Sequence, residues 1–322
     1  MRPTSRQFAV ALAGILLLTT ATVTTAEQGT TVPVGGGEIR VTFDDGRLAV
    51  GQNEVSSWVR GAAHTVSAYY GGFPVPRLDL RIRPVIGDDI GGTAYGWRRG
   101  IDIRLGGNAS SDDLADDWVL VHEMLHMGHP QVGDEHKWFK EGLATYVEPI
   151  ARARAGDLAA RDVWAELAQQ LPQGQPRYGD RGLDHTPTWG RVYWGGALYF
   201  FVADVRIRQR TDNRFGLQDA LRAIVEAGGT LDRRWSLRKT LRIGDEAIGE
   251  SILTDLYERM ADQPVTVDLD ALWTQLGIQR GLIHTELDNN APLAHVRRAI
   301  TGEPAETAPG HHAGRGLHAP GG

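Results

Sequence analysis

The sequence contains no cysteine. Disulfides are therefore excluded, and any metal must be held by histidine, aspartate or glutamate. No long basic stretch is present, and the formal net charge is −6, which argues against nucleic acid as a partner. After the first residues no segment is apolar enough to span a membrane, and no internal repeat appears. What remains is ordinary globular composition, 41% hydrophobic and 23% charged. At 322 residues the chain is long enough for one large domain or two lobes sharing a cleft. Without cross-links its stability rests on the core.

The N-terminus has the three-part plan of a secretory signal peptide: Arg2 and Arg6, an apolar run from Phe8 to Leu18, then small residues up to Ala26. Cleavage is expected after Ala26, with retention as an anchor the alternative. Glu38 to Phe43 alternates as a half-buried strand, and the Leu78, Leu80, Ile82 and Ile101, Ile103, Leu105 sets do the same. Val55, Trp58, Val59, Ala62 and Val66 recur at helical spacing, with Asn53 as a cap and Pro74 and Pro76 as breakers. From Ser110 the pattern turns helical. One helix is expected from Ser111 to about Met127, its acidic start favourable to the dipole, and another from near Glu135 to Ala155. Further helices are expected near 157–170, 188–210, 215–227, 246–261 and 268–276. The tail from about Glu303, with His311, His312 and His318, reads as solvated and disordered.

The chemistry concentrates in His122-Glu123-Met124-Leu125-His126. Histidines at i and i+4 share one helix face and can hold one ion, and Glu123 beside the first can reach a metal-bound water without replacing it. Surface histidines are the bland alternative. Against it, Val119, Leu120, Val121, Met124, Leu125 and Met127 make this a largely buried helix, where unpartnered polar groups are costly. A catalytic zinc takes three protein ligands and an open position. The metzincin pattern is ruled out, because His129 and Val132 stand where it needs a glycine and a histidine. Glu141, in the first turn of the next helix after the Gly128 and Pro130 reversal, is the preferred third ligand. His129, Asp134, Glu135 and His136 are rivals in the connecting loop.

HExxH followed by Trp138-Phe139-Lys140-Glu141-Gly142-Leu143-Ala144-Thr145-Tyr146 resembles the gluzincin peptidases, especially the aminopeptidase N and glycyl aminopeptidase type. The resemblance implies an α+β, thermolysin-like two-lobed zincin domain, with a small mixed sheet and helices in the N-terminal lobe and a mainly helical C-terminal lobe. It implies one zinc on His122, His126 and Glu141, with Glu123 as general base. Glu148, two helical turns after Glu141, falls where such enzymes support a zinc-bound histidine; a helix-surface charge before Pro149 is the alternative. Tyr193-Trp194-Gly195-Gly196-Ala197 matches the family's Tyr-x-x-Gly-Ala helix start, whose tyrosine donates to the oxyanion. An aromatic core helix is the competing account of Tyr193. The family's amine-binding glutamate has no counterpart in Gly91-Gly92-Thr93-Ala94-Tyr95, although the backbone there could pair with an extended substrate.

The expected divisions are a signal peptide over 1–26, an α/β lobe over 27–127 ending in the zinc helix, a helical lobe over 128–285 and an extension over 286–322. The expectation is a secreted zinc metallopeptidase acting on peptides or proteins, without nucleic acid and without stable membrane insertion. Aminopeptidase and endopeptidase action both stay open. The alternatives are a non-peptide zinc hydrolase on the same scaffold, or a secreted binding protein with a structural or vestigial zinc.

Overall fold

The computed structural model describes residues 29–95, 100–281 and 285–303. The expected signal segment and the histidine-containing tail beyond residue 303 lie outside the described residues. Among the described residues no helix is long and apolar enough to cross a membrane.

The architecture is mixed α+β. Five strands, β1 (Gly29–Val34), β2 (Gly37–Phe43), β3 (Arg77–Val85), β4 (Ile90–Tyr95) and β5 (Gly100–Gly106), form one sheet in the order β1-β2-β3-β5-β4. β2, β3 and β5 run parallel, while β1 and β4 are antiparallel edges. The alternation seen in sequence is the pleat: Leu78, Leu80 and Ile82 of β3 and Ile101, Ile103 and Leu105 of β5 are all buried. α1 (Gln52–Tyr70) crosses between β2 and β3 and buries Val55, Val59, Ala62 and Val66. Each fully buried valine of this set contributes roughly 1.5–3 kcal/mol. Its cap is Gly51 rather than Asn53. The Gly51 amide donates to Glu54 Oε2 at 2.7 Å, and Gly71 closes the helix with a φ of 77°.

The single helix expected from Ser111 is two: α2 (Ser111–Asp116) and α3 (Val119–Leu125). Asp117 breaks it. Its backbone is extended, and its carboxylate accepts from the amides of Val119 and Leu120, both at 3.0 Å, so it starts a new helix. α3 then tightens into a 3-10 turn over His126–Gly128. α4 (Lys137–Ala155), α5 (Ala160–Gln170), α6 (Gly196–Thr211) and α7 (Leu217–Glu226) follow close to expectation. The helix expected over 246–261 is instead α8 (Leu237–Ile248) and α9 (Ile252–Met260), separated at Gly249, whose φ is 70°. Ser236 caps α8 by accepting from the Lys239 amide. α10 (Leu269–Leu276), the small β6 (Ile278–Arg280) and β7 (Thr285–Leu287) pair, and α11 (Ala294–Thr301) complete the described chain.

The packing of α3 and α4 decides where the cleft lies. α3 packs against α1 and against edge strand β4, and α4 packs against α1, α3 and α6. Where α4 crosses the start of α6 the backbones touch: a Cβ on Gly142 would stand 2.3 Å from Gly196, and one on Gly196 would stand 2.1 Å from the Trp138 carbonyl. Only glycines allow this approach.

Candidate metal centre and cleft

α3 presents His122 and Glu123, His126 follows at its end, and the first turns of α4 present Glu141. The ring centroids of His122 and His126 are 5.2 Å apart, as i, i+4 spacing dictates. Glu141 Oε2 lies 3.6 Å from His122 Nε2 and 3.8 Å from His126 Nε2, and one potential ligand atom from each of the three residues falls within 4.8 Å of the others. Tetrahedral ligands at zinc distances are separated by about 3.4 Å. Two imidazoles and one carboxylate so arranged fit a single divalent cation.

The state of His126 follows from its neighbours. His129 Nδ1 faces the Pro130 carbonyl at 2.9 Å, so that nitrogen carries the proton. Burial pushes His129 down to about 4, so the ring is neutral and its Nε2 accepts. Facing it at 3.1 Å, His126 Nδ1 is therefore the donor, and His126 Nε2 keeps a lone pair toward Glu141. Burial, with the neighbouring His122 and His129, holds His126 well below its ordinary range. His129, a rival ligand by sequence, packs behind the candidate ligand His126 and orients its ring. His136 is likewise committed, its Nδ1 lying 2.9 Å from Asp184 Oδ1, which also accepts from Trp138 Nε1 at 2.7 Å. Asp134 and Glu135 are exposed. For Glu141, burial acts upward, but the His122 contact and Lys137 and Lys140 prevail and hold it ionised.

Glu123 points to the strand side. Burial raises its carboxyl, offset by His122 and by a hydrogen bond from the Ala94 amide of β4. β4 comes this close because residue 92 is glycine: a Cβ there would stand 2.5 Å from Glu123 Cγ and 3.0 Å from Val119 Cγ1. Neither Gly92 nor Ala94 stood out in the sequence as a holder of Glu123; the run Gly91-Gly92 was the available signal. Tyr193 sits inside a π-helical turn, Arg191–Gly195, an irregularity frequent at functional sites. Its ring stacks on Trp189 at 5.7 Å. Burial first, then the Glu141 and Glu123 charges and a hydrogen bond to Glu141, raise its pKa, keeping the phenol protonated. Glu148 accepts from Arg152 Nη1 at 3.2 Å; burial pushes it up to about 7, and His122 appears only as a lesser electrostatic influence.

These groups line one cleft. A compartment of about 590 Å³ on the His122 side also holds Trp118, Glu148, Arg152, Glu166 and Trp189. A smaller one of about 200 Å³ lies on the His126 side, with Lys140 and Leu231. Gly92, Glu123, Glu141 and Tyr193 border both.

No protein-family model and no curated protein matches the sequence. The fold is similar to part of solved zinc metallopeptidases related to aminopeptidase N. A crystal structure of an aminopeptidase N family protein from Idiomarina loihiensis superposes with a TM-score of 0.57 at 15% identity, over 78% of this chain and 49% of that one. A variant of a two-domain M1 zinc metallopeptidase, bound to L-tryptophan, gives 0.50 at 16% identity over 74% and 53%. The chain thus spans about half the length of these proteins. This likeness of fold agrees with the gluzincin resemblance of the motifs.

Proposed function

We propose that this chain is a secreted zinc-dependent peptidase in which Glu123 handles the proton. The reading is carried by one observation: His122, His126, Glu141, Glu123 and Tyr193 meet in a single cleft beside an open sheet edge. Zinc held by His122, His126 and Glu141 would supply a Lewis acid, lowering the pKa of water to about 7 and polarising a substrate carbonyl.

Every other part of the reaction falls to the protein. Glu123 takes a proton from the attacking water and returns it to the leaving amine. Its raised pKa suits a carboxylate that must both accept and release a proton, and the Ala94 amide favours its ionised form. Tyr193 donates to the carbonyl oxygen as negative charge builds there. An extended peptide lies along β4, whose Gly91 and Gly92 line the cleft wall. The thermolysin-like division into lobes over 27–127 and 128–285 belongs to the same proposal, with β4 and α3 as one wall and α4 and the Tyr193 turn as the other. Without a glutamate in the 91–95 segment to bind a free amine, the reading commits to no end preference.

The test combines metal analysis with cleavage of a mixed peptide library carrying blocked and free N-termini. One zinc per chain, with cleavage lost to a chelator and restored by zinc, is the expected result. A zinc-replete protein that leaves every library peptide intact would sink the proposal.

A further inference from the structure

Beyond His122 the larger compartment runs along α4 to a charged floor made by Glu148 and Arg152 of α4 and Glu166 of α5. The charges there do not balance. Arg152 donates to Glu148, and the two side chains are only 11% and 9% exposed, so the guanidinium is committed to that partner. Burial raises the Glu166 carboxyl against the pull of the Arg152 charge, and it accepts no hydrogen bond among the described residues. Above the Glu148 pKa of about 7, two carboxylates against one cation leave a negative charge in a partly desolvated cleft. Trp118 and Trp189 stand on the walls, 53% and 61% exposed.

An acidic floor under indole faces is complementary to a cation on an apolar stem. The stem lies against the rings, the head gains cation–π attraction, and the carboxylate completes an ion pair. An acidic ligand that reached Arg152 would still face the carboxylates of Glu148 and Glu166. Glu148 stands two helical turns from Glu141, about 10 Å along the axis. That separation suits the long side chain of a residue at the scissile bond better than its α-amine.

We propose that Glu166 determines specificity by pairing with a lysine or arginine side chain adjacent to the scissile bond. The inference rests on the peptidase reading above and names its substrate class. The test uses the zinc-loaded protein and blocked peptides identical except for lysine, norleucine or glutamate at one position. Lysine is expected to exceed norleucine in kcat/KM by about tenfold or more, the scale of a close charge pair. Glu166→Gln should bring that ratio close to one, and Glu166→Lys should shift preference toward glutamate. Equal ratios in the parent and in Glu166→Gln, or no preference for lysine in the parent, overturn the inference while leaving the peptidase reading intact. If no peptide is cleaved, that reading fails. Binding of the same peptides to zinc-loaded Glu123→Gln, followed by tryptophan fluorescence, then decides the subsite: tighter lysine binding that Glu166→Gln abolishes supports it, and equal binding removes it.

Discussion

The two sides of the cleft are held by different parts of the chain. On the helical side, side chains hold side chains: His129 fixes His126, and Glu141 sits against both imidazoles. On the facing side the main chain does the holding. The Ala94 amide faces Glu123, and a glycine admits the strand. The difference has a mechanical consequence. Rotamers can re-aim a side chain after a small backbone shift, whereas a displaced strand carries its amide away from Glu123. Changes on the helical side should therefore act on metal affinity, and changes on the strand side on turnover.

The largest expected effect tests that division at its centre. Glu123→Gln should lower turnover by about 10²–10⁴-fold while zinc per chain, measured on the purified protein, stays unchanged. Activity within a few-fold of the parent would remove Glu123 from the reaction. Next comes Tyr193→Phe, expected to reduce kcat by about 10²–10³-fold with little change in KM. An equal rise in KM would mean that the phenol binds the ground state instead.

On the helical side, His129→Phe deprives His126 Nδ1 of its acceptor and should weaken zinc binding about 10–100-fold, read by competition with a chelator. Glu148→Gln is the comparison. Its carboxylate bonds Arg152, so the zinc affinity of this variant should move by less than threefold. A larger loss would favour the expectation that Glu148 supports a ligand histidine.

The same division explains what could be read from sequence. Ligand chemistry requires particular residue types at helical spacing, so His122, Glu123, His126 and Glu141 were legible, as were the alternating strands that set the sheet core. The supports were less so. A main-chain amide can belong to any residue, so Ala94 carries no mark, and Gly92 shows only that something approaches closely. His129 looked like a competitor because its distance to the metal ligands, not its type, decides its role. The break at Asp117 was hidden because one carboxylate can serve an acidic first turn or cap a new helix, and only the chain's direction distinguishes them.

The smallest expected effect examines the strand side directly. In Gly92→Ala the new methyl would stand 2.5 Å from Glu123 Cγ and 3.0 Å from Val119 Cγ1. Neither atom is the free end of a flexible chain, so β4 has to retreat, at a cost of roughly 1–3 kcal/mol visible as a lower Tm. The retreat draws the Ala94 amide away from Glu123, so kcat should fall. All three candidate ligands lie on α3, the turn that ends it, and α4, so zinc affinity should hold. If affinity falls together with kcat, β4 supports the metal as well as the proton acceptor, and the two sides of the cleft are one mechanical unit.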